Sequence, residues 1–209
     1  MSVTEAPEIR RGRKYDQVLD GARRVFARDG YEGASVDDIA REAGVSKATL
    51  YSYFPDKRLL FTEIWQSECR NSAEAAESDM NPEACAREFL TFAGHRIAAF
   101  LMSETGRSLF RLVVAEVSRF PELARTFHAN GPALMRERLA GHLRMLVDRG
   151  ELQIGDFGLA AEQFVQLCKA GFYDRLILGL VDDITPGEVD SSVSAAAEMF
   201  LARYGKARP

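Results

Sequence analysis

The stretch Val36 to Phe54, VDDIAREAGVSKATLYSYF, restricts what this chain can fold into more than any other. Val36, Ile39, Ala40 and Ala43 are spaced to share one helical face; Gly44-Val45-Ser46 interrupts the pattern, and Leu50 and Phe54 resume it one turn apart. Two short helices closed by a glycine turn make a helix-turn-helix pattern. Ser35 and Ser46 stand where the two helices begin, so their hydroxyls can accept from unpaired first-turn amides, and Asp38 lies at the positive end of the first dipole. Gly44 falls where the turn favours a positive φ, which a residue without a Cβ adopts at little cost. The second helix, spanning about Lys47 to Tyr53, turns Leu50 inward. It leaves Lys47, Ala48, Thr49, Tyr51, Ser52 and Tyr53 outside, a mixture of cation, hydroxyl and small groups that suits a groove better than a core.

The flanks are helical too. Tyr15, Val18, Leu19, Ala22, Val25 and Phe26 recur at three- and four-residue intervals, which predicts a first helix from about Arg13 to Arg28, stopped by Asp29-Gly30. After Pro55-Asp56 a long fourth helix is expected from about Lys57 to Ser78, a fifth over 83–102 and a sixth from about Gly106 to Ser118. Pro121 suits the first turn of a seventh. Gly131-Pro132 makes either a kink or a break, because Pro132 has no N–H to donate. Asp156 can cap a helix running to about Leu180, and Thr185-Pro186 starts the last one, ending near Tyr204. No segment alternates with period two, so the fold expected is all-α with about nine helices.

Charge is unevenly spread. Residues 1–58 carry 11 Lys/Arg against 10 Asp/Glu, whereas the remainder carries 16 against 21. Arg10, Arg11, Arg13 and Lys14 cluster ahead of the first helix, as an arm for phosphates or as a solvated tail. The three cysteines, Cys69, Cys85 and Cys168, are widely separated and lack metal-type spacing, so neither a disulfide framework nor a zinc site is expected, and no other metal or cofactor. No apolar run approaches the roughly 20 residues needed to span a bilayer, and the N-terminus lacks the apolar middle of a signal peptide; the expected location is the cytoplasm.

The runs Val25 to Tyr31, Ser35 to Tyr51 and Phe54 to Lys57 closely resemble the N-terminal domain of TetR-family transcriptional regulators. Arg107 to Glu116 and Arg119 to Ala124 are similar to the AefR-type C-terminal domain found in part of that family. The charge cluster marks 1–12 as a basic arm, and the resemblance implies a three-helix helix-turn-helix DNA-binding domain at 13–56 and a larger ligand-binding and dimerisation domain at 57–209. It implies a homodimer reading double-stranded operator DNA, with a small-molecule effector in the body changing the spacing of the two heads. Residues placed at DNA by motif position or chemistry are Ser35, Ser46, Lys47, Ala48, Thr49, Tyr51, Ser52, Tyr53 and Lys57, the last at a phosphate. Ser52-Tyr53 and Arg58 depart from the commonest family pattern, which leaves base preference less defined than phosphate contact.

An effector site is expected among helices five to eight. Its candidate residues are Trp65, His95, Phe110, Phe127, His128, Met145, Phe164, Cys168 and Phe172, each of which can equally be plain core. Their aromatic content points to a hydrophobic or aromatic effector. The last two long helices carry more apolar surface than one body needs, and Ala170, Gly171, Ala196 and Ala197 would allow close approach of helices in a two-fold dimer. The function expected is a ligand-released repressor. The alternatives are a thiol-based redox regulator using Cys69, Cys85 or Cys168 and, least favoured, an enzyme, for which no phosphate loop or nucleophile motif is present.

Overall fold

The computed structural model describes residues 12–206, so Arg10 and Arg11 of the expected arm lie outside the described residues, while Arg13 and Lys14 open the first helix and are exposed. The helices are α1 (Arg13–Gly33), α2 (Val36–Glu42), α3 (Lys47–Tyr53), α4 (Lys57–Asp79), α5 (Ala86–Met102), α6 (Glu104–Glu116), α7 (Pro121–Asn130), α8 (Pro132–Asp148), α9 (Phe157–Cys168), α10 (Tyr173–Ile177) and α11 (Pro186–Tyr204). The all-α expectation holds: among the described residues the only β pairing is an isolated antiparallel bridge between Leu152 and Gly205.

Among the described residues eleven helices stand in place of about nine. At Gly131-Pro132 the chain breaks rather than kinks, since Gly131 takes φ −123° and ψ −89° between α7 and α8. The helix expected to run from Asp156 to about Leu180 divides into α9 and α10, with Gly171 at φ 85° between them. In α1 the helical path breaks at Gly30, as expected, but one further turn carries Tyr31 back into the core.

The caps are as the sequence implies. Ser35 accepts from the Asp38 amide and Ser46 from the Thr49 amide, and Gly44 has φ 65°. Asp56 caps α4, its carboxylate accepting from the amides of Arg58 and Leu59 at 2.8 and 3.0 Å.

One core joins α1–α3 to the first half of α4 and to parts of α6 and α7. Leu60, Phe61, Ile64 and Trp65 are at most 1% exposed. At about 1.5–3 kcal/mol for each fully buried large side chain, this seam outweighs any polar contact across it, so head and fourth helix pack as one unit. A second core lies among α5, α8, α9 and α11, and a third, smaller one surrounds α10. Ala196 and Ala197, expected at an intersubunit face, are buried inside this second core, whereas Ala170 and Gly171 are exposed, as is Ala195. The cause is the helical phase: α11 buries Val189, Val193, Ala196, Ala197 and Phe200 on one stripe, which leaves Ala195 and Met199 outside.

Candidate functional site

Helix α3 presents its polar side outward. Lys47, Ala48, Tyr51 and Ser52 are exposed at helical-neighbour spacing, while Leu50 and Phe54 hold the helix to α1. Tyr51 is half exposed, with an apolar ring and a hydroxyl that can donate to a phosphate. Lys47 Nζ lies 2.6 Å from Asp37 of α2, with both side chains exposed. An exposed pair of this kind contributes at most about 1 kcal/mol, so a phosphate can displace the carboxylate.

The Ser52 hydroxyl donates to the Thr49 carbonyl at 2.7 Å, and other expected DNA residues also have internal work. Ser35 and Ser46 spend their hydroxyls on caps, and the Thr49 hydroxyl lies 2.8 Å from that of Ser46. Tyr53 is half-buried, its ring edge-to-face with Tyr15 at 5.7 Å. Lys57 differs most from expectation. Its ammonium donates to the carbonyls of Tyr31, Glu32 and Ala34 at 2.7, 3.1 and 3.4 Å, and sits 4.6 Å from the centre of the Tyr31 ring. Its three donors are thus occupied by the end of α1, and burial pushes the ammonium below its ordinary pKa. Without DNA, Lys57 clamps the start of α4 to the end of α1.

The head is tied to the body at the same corner. Glu116 accepts from the Glu32 amide at 3.3 Å, Arg119 pairs with Glu32, and Phe120 meets Tyr31 edge-on at 5.1 Å.

Two chambers occupy the body. The first lies between α4, α5 and α8, has a cavity volume of about 160 Å³ and is partly open to solvent. Phe89, Phe92, Ile97, Phe100, Leu134 and Met135 form its apolar wall. Arg96 and Arg138 also line it, paired with Asp79 and Glu77 at 3.6 and 3.2 Å. The half-buried His142, with its ring centre 5.2 Å from that of Phe89, is pushed below its ordinary pKa by burial and is therefore a neutral group in this wall. The second chamber, of about 150 Å³ and also partly open, lies toward α6, α9 and α10, and Phe100 and Met135 line both.

Trp65, Phe110, Phe127 and His128 line the second chamber as candidate effector residues, whereas none of the nine candidates lines the first. His95 instead lies at the surface, its side chain 40% exposed and 3.6 Å from Asp190. Met145 is 53% exposed on the outer side of α8. Phe164, Cys168 and Phe172 are packed in solid core because α9 turns Ala160, Ala161, Phe164 and Cys168 inward and gives Val165, Gln166 and Lys169 to the chamber. The apolar residues of α5 that wall the first chamber are plain in the sequence as a helix face, but a face carries no sign of whether it meets a neighbour or a void.

Burial pushes the Cys69 and Cys168 thiols up to about 12, the reverse of what a redox sensor needs. Cys85 serves as the N-cap of α5, where its amide donates to Glu88 at 2.9 Å. Alkylation of the native protein at neutral pH is expected to leave Cys69 and Cys168 unmodified by mass spectrometry; rapid labelling of either would reopen the thiol-sensor reading.

A packed helix-turn-helix head on a helical body with two partly open chambers is the build of a DNA-binding regulatory protein. Residues 18–64 match the model for bacterial regulatory proteins of the tetR family, and residues 88–206 match that for the AefR-like transcriptional repressor C-terminal domain. A Mesorhizobium loti protein solved as a TetR-family transcriptional regulator is 30% identical over 95% of this chain and all of that one, with a TM-score of 0.81. The flavonoid-responsive regulator FrrA is 31% identical over 95% of this chain and 100% of its own, with a TM-score of 0.74. The fatty acid metabolism regulator protein of Bacillus subtilis is 35% identical over 77 residues, which are 37% of this chain and 40% of that regulator. The chain belongs to the TetR family of transcriptional regulators and carries an AefR-like C-terminal domain.

Proposed function

We propose that the protein is a cytoplasmic homodimeric repressor that releases its operator when a hydrophobic small molecule enters the first chamber. The observation that carries this reading is the double role of α4. Its 23 residues span about 34 Å. Its first half is packed into the head and clamped by Lys57, and its second half, from Cys69 to Glu77, walls the first chamber. A ligand that separates α4 from α5 and α8 therefore acts on the body to which the reading helix is fixed. For release, it must bind the DNA-incompetent arrangement more tightly than the competent one.

The effector classes to screen first follow from the relatives. A flavonoid-responsive regulator of the same fold makes planar polyphenols the first, and the fatty acid regulator makes acyl chains the second. The dimer face proposed is the outer side of α9 and α11, where Leu159 and Met199 are 50% and 60% exposed beside Ala170 and Ala195.

DNA contact is proposed for Lys47, Ala48, Tyr51 and Ser52. Selection of bound DNA from a random pool should return a site with two-fold symmetry, its half-sites about one helical turn apart or slightly more. On that site Lys47→Ala is expected to weaken binding by about tenfold and to lower the salt slope by about 1 for each phosphate that the lysine no longer neutralises. An asymmetric site, or an unchanged affinity and slope, would remove α3 from the interface. Release by a polyphenol or an acyl ligand in the same binding assay tests the effector half of the proposal.

A further inference from the structure

The second chamber has a composition of its own. Its wall holds a continuous run of rings: Tyr173 meets Phe110 at 6.1 Å between centres, Phe110 meets Phe127 at 6.0 Å, Phe127 stacks on Trp65 at 4.0 Å and Trp65 meets Phe100 at 5.7 Å. All five rings line the space. At the α9 end stands Lys169, half-buried, its Nζ 5.3 Å from the centre of the Tyr173 ring. Among the described residues no carboxylate lies within ion-pair distance of it. The other basic residue of the wall, Arg136, is exposed, as are His128 and the one acid, Glu162.

An ammonium held in a partly dry aromatic pocket without an anion is at an electrostatic disadvantage, which ring contact offsets only in part. Burial is the leading cause that lowers the Lys169 pKa from its ordinary value, and the more distant charge of Asp174 opposes it without reversing it. A ligand anion would remove that disadvantage, and a planar aromatic body would occupy the run of rings beside it.

We propose that the second chamber is a separate binding site for a planar aromatic carboxylate, its rings lying along Phe110, Phe127 and Tyr173 and its carboxylate on Lys169. This site is distinct from the hydrophobic effector site proposed above.

The probes are biphenyl-4-carboxylate and its neutral carboxamide, titrated by calorimetry and by emission of Trp65, the one tryptophan of the chain. The carboxylate is expected to bind the wild type about tenfold more tightly than the amide. Lys169→Met should abolish that preference and Lys169→Arg should keep it. Ala73→Phe, which fills the first chamber, should leave carboxylate affinity unchanged. The proposal is overturned by equal affinity of acid and amide for the wild type, by a preference that survives Lys169→Met, by loss of carboxylate binding in Ala73→Phe, or by no saturable binding at millimolar probe. Should Lys169→Met fail to fold, the wild-type comparison together with Ala73→Phe decides it. Failure here leaves the operator-release experiment untouched, since that uses other ligands and another chamber.

Discussion

Gly131→Ala is expected to destabilise the protein by about 1–3 kcal/mol and to lower its Tm by several degrees. A Cβ at this position would lie 2.3 Å from Cζ2 of Trp65 and 2.9 Å from Cε2. The indole cannot retreat cheaply. It is 1% exposed, stacked on Phe127 at 4.0 Å, and its N–H donates to the Phe127 carbonyl at 2.9 Å. Either the ring leaves its hydrogen bond or α7 and α8 part at their junction, and both change Trp65 emission. Gly141→Ala is the control. In α8 its Cβ would meet nothing within 4 Å, so the substitution should be neutral or stabilising by up to about 1 kcal/mol, as alanine is in a helix interior. Thermal melts with fluorescence distinguish the two; a Gly131→Ala protein with wild-type Tm and emission would mean that the α7–α8 junction is loose.

Met199→Arg carries the largest functional effect. Met199 is 60% exposed on α11, so the protomer has room for the longer side chain and should keep its helicity and melting behaviour. On the dimer face proposed for α9 and α11, Met199 near the two-fold axis would meet its own copy, and the substitution would set two guanidinium groups against each other there. Sedimentation is expected to show a monomer at micromolar concentration. Affinity for the symmetric operator should fall by roughly 10² to 10⁴, because the second head no longer binds intramolecularly. A dimer that persists with wild-type DNA affinity would place the intersubunit face elsewhere.

Much of the head is legible in the sequence. Its signals are local: serines at two N-caps, a glycine at positive φ, and apolar residues at helical spacing that Ile39, Leu50 and Phe54 satisfy by being buried. Lys57 is legible only in part. Its place at the start of α4 is a matter of sequence, but its three carbonyl partners come from the end of α1, which the chain brings back only on folding. The body is harder. Helices α5, α8, α9 and α11 are apolar on more than one side, so periodicity marks them as buried without fixing their rotation about their own axes. With that rotation open, Phe164, Cys168 and Phe172 read as cavity residues when they belong to solid core, and the wall made by Phe89, Phe92 and Leu134 stays hidden.

By itself, then, the sequence determined the helical class, the order of the helices, the reading head and its family, because each depends on near neighbours along the chain or on a motif confined to one stretch. Tertiary structure alone decided where the empty space lies, which side of α9 and α11 faces outward, and why Gly131 has no room for a Cβ. Those are properties of surfaces meeting: whether two apolar faces interlock or leave a void depends on the distance and angle between helices far apart in the chain, which no single stretch of residues encodes.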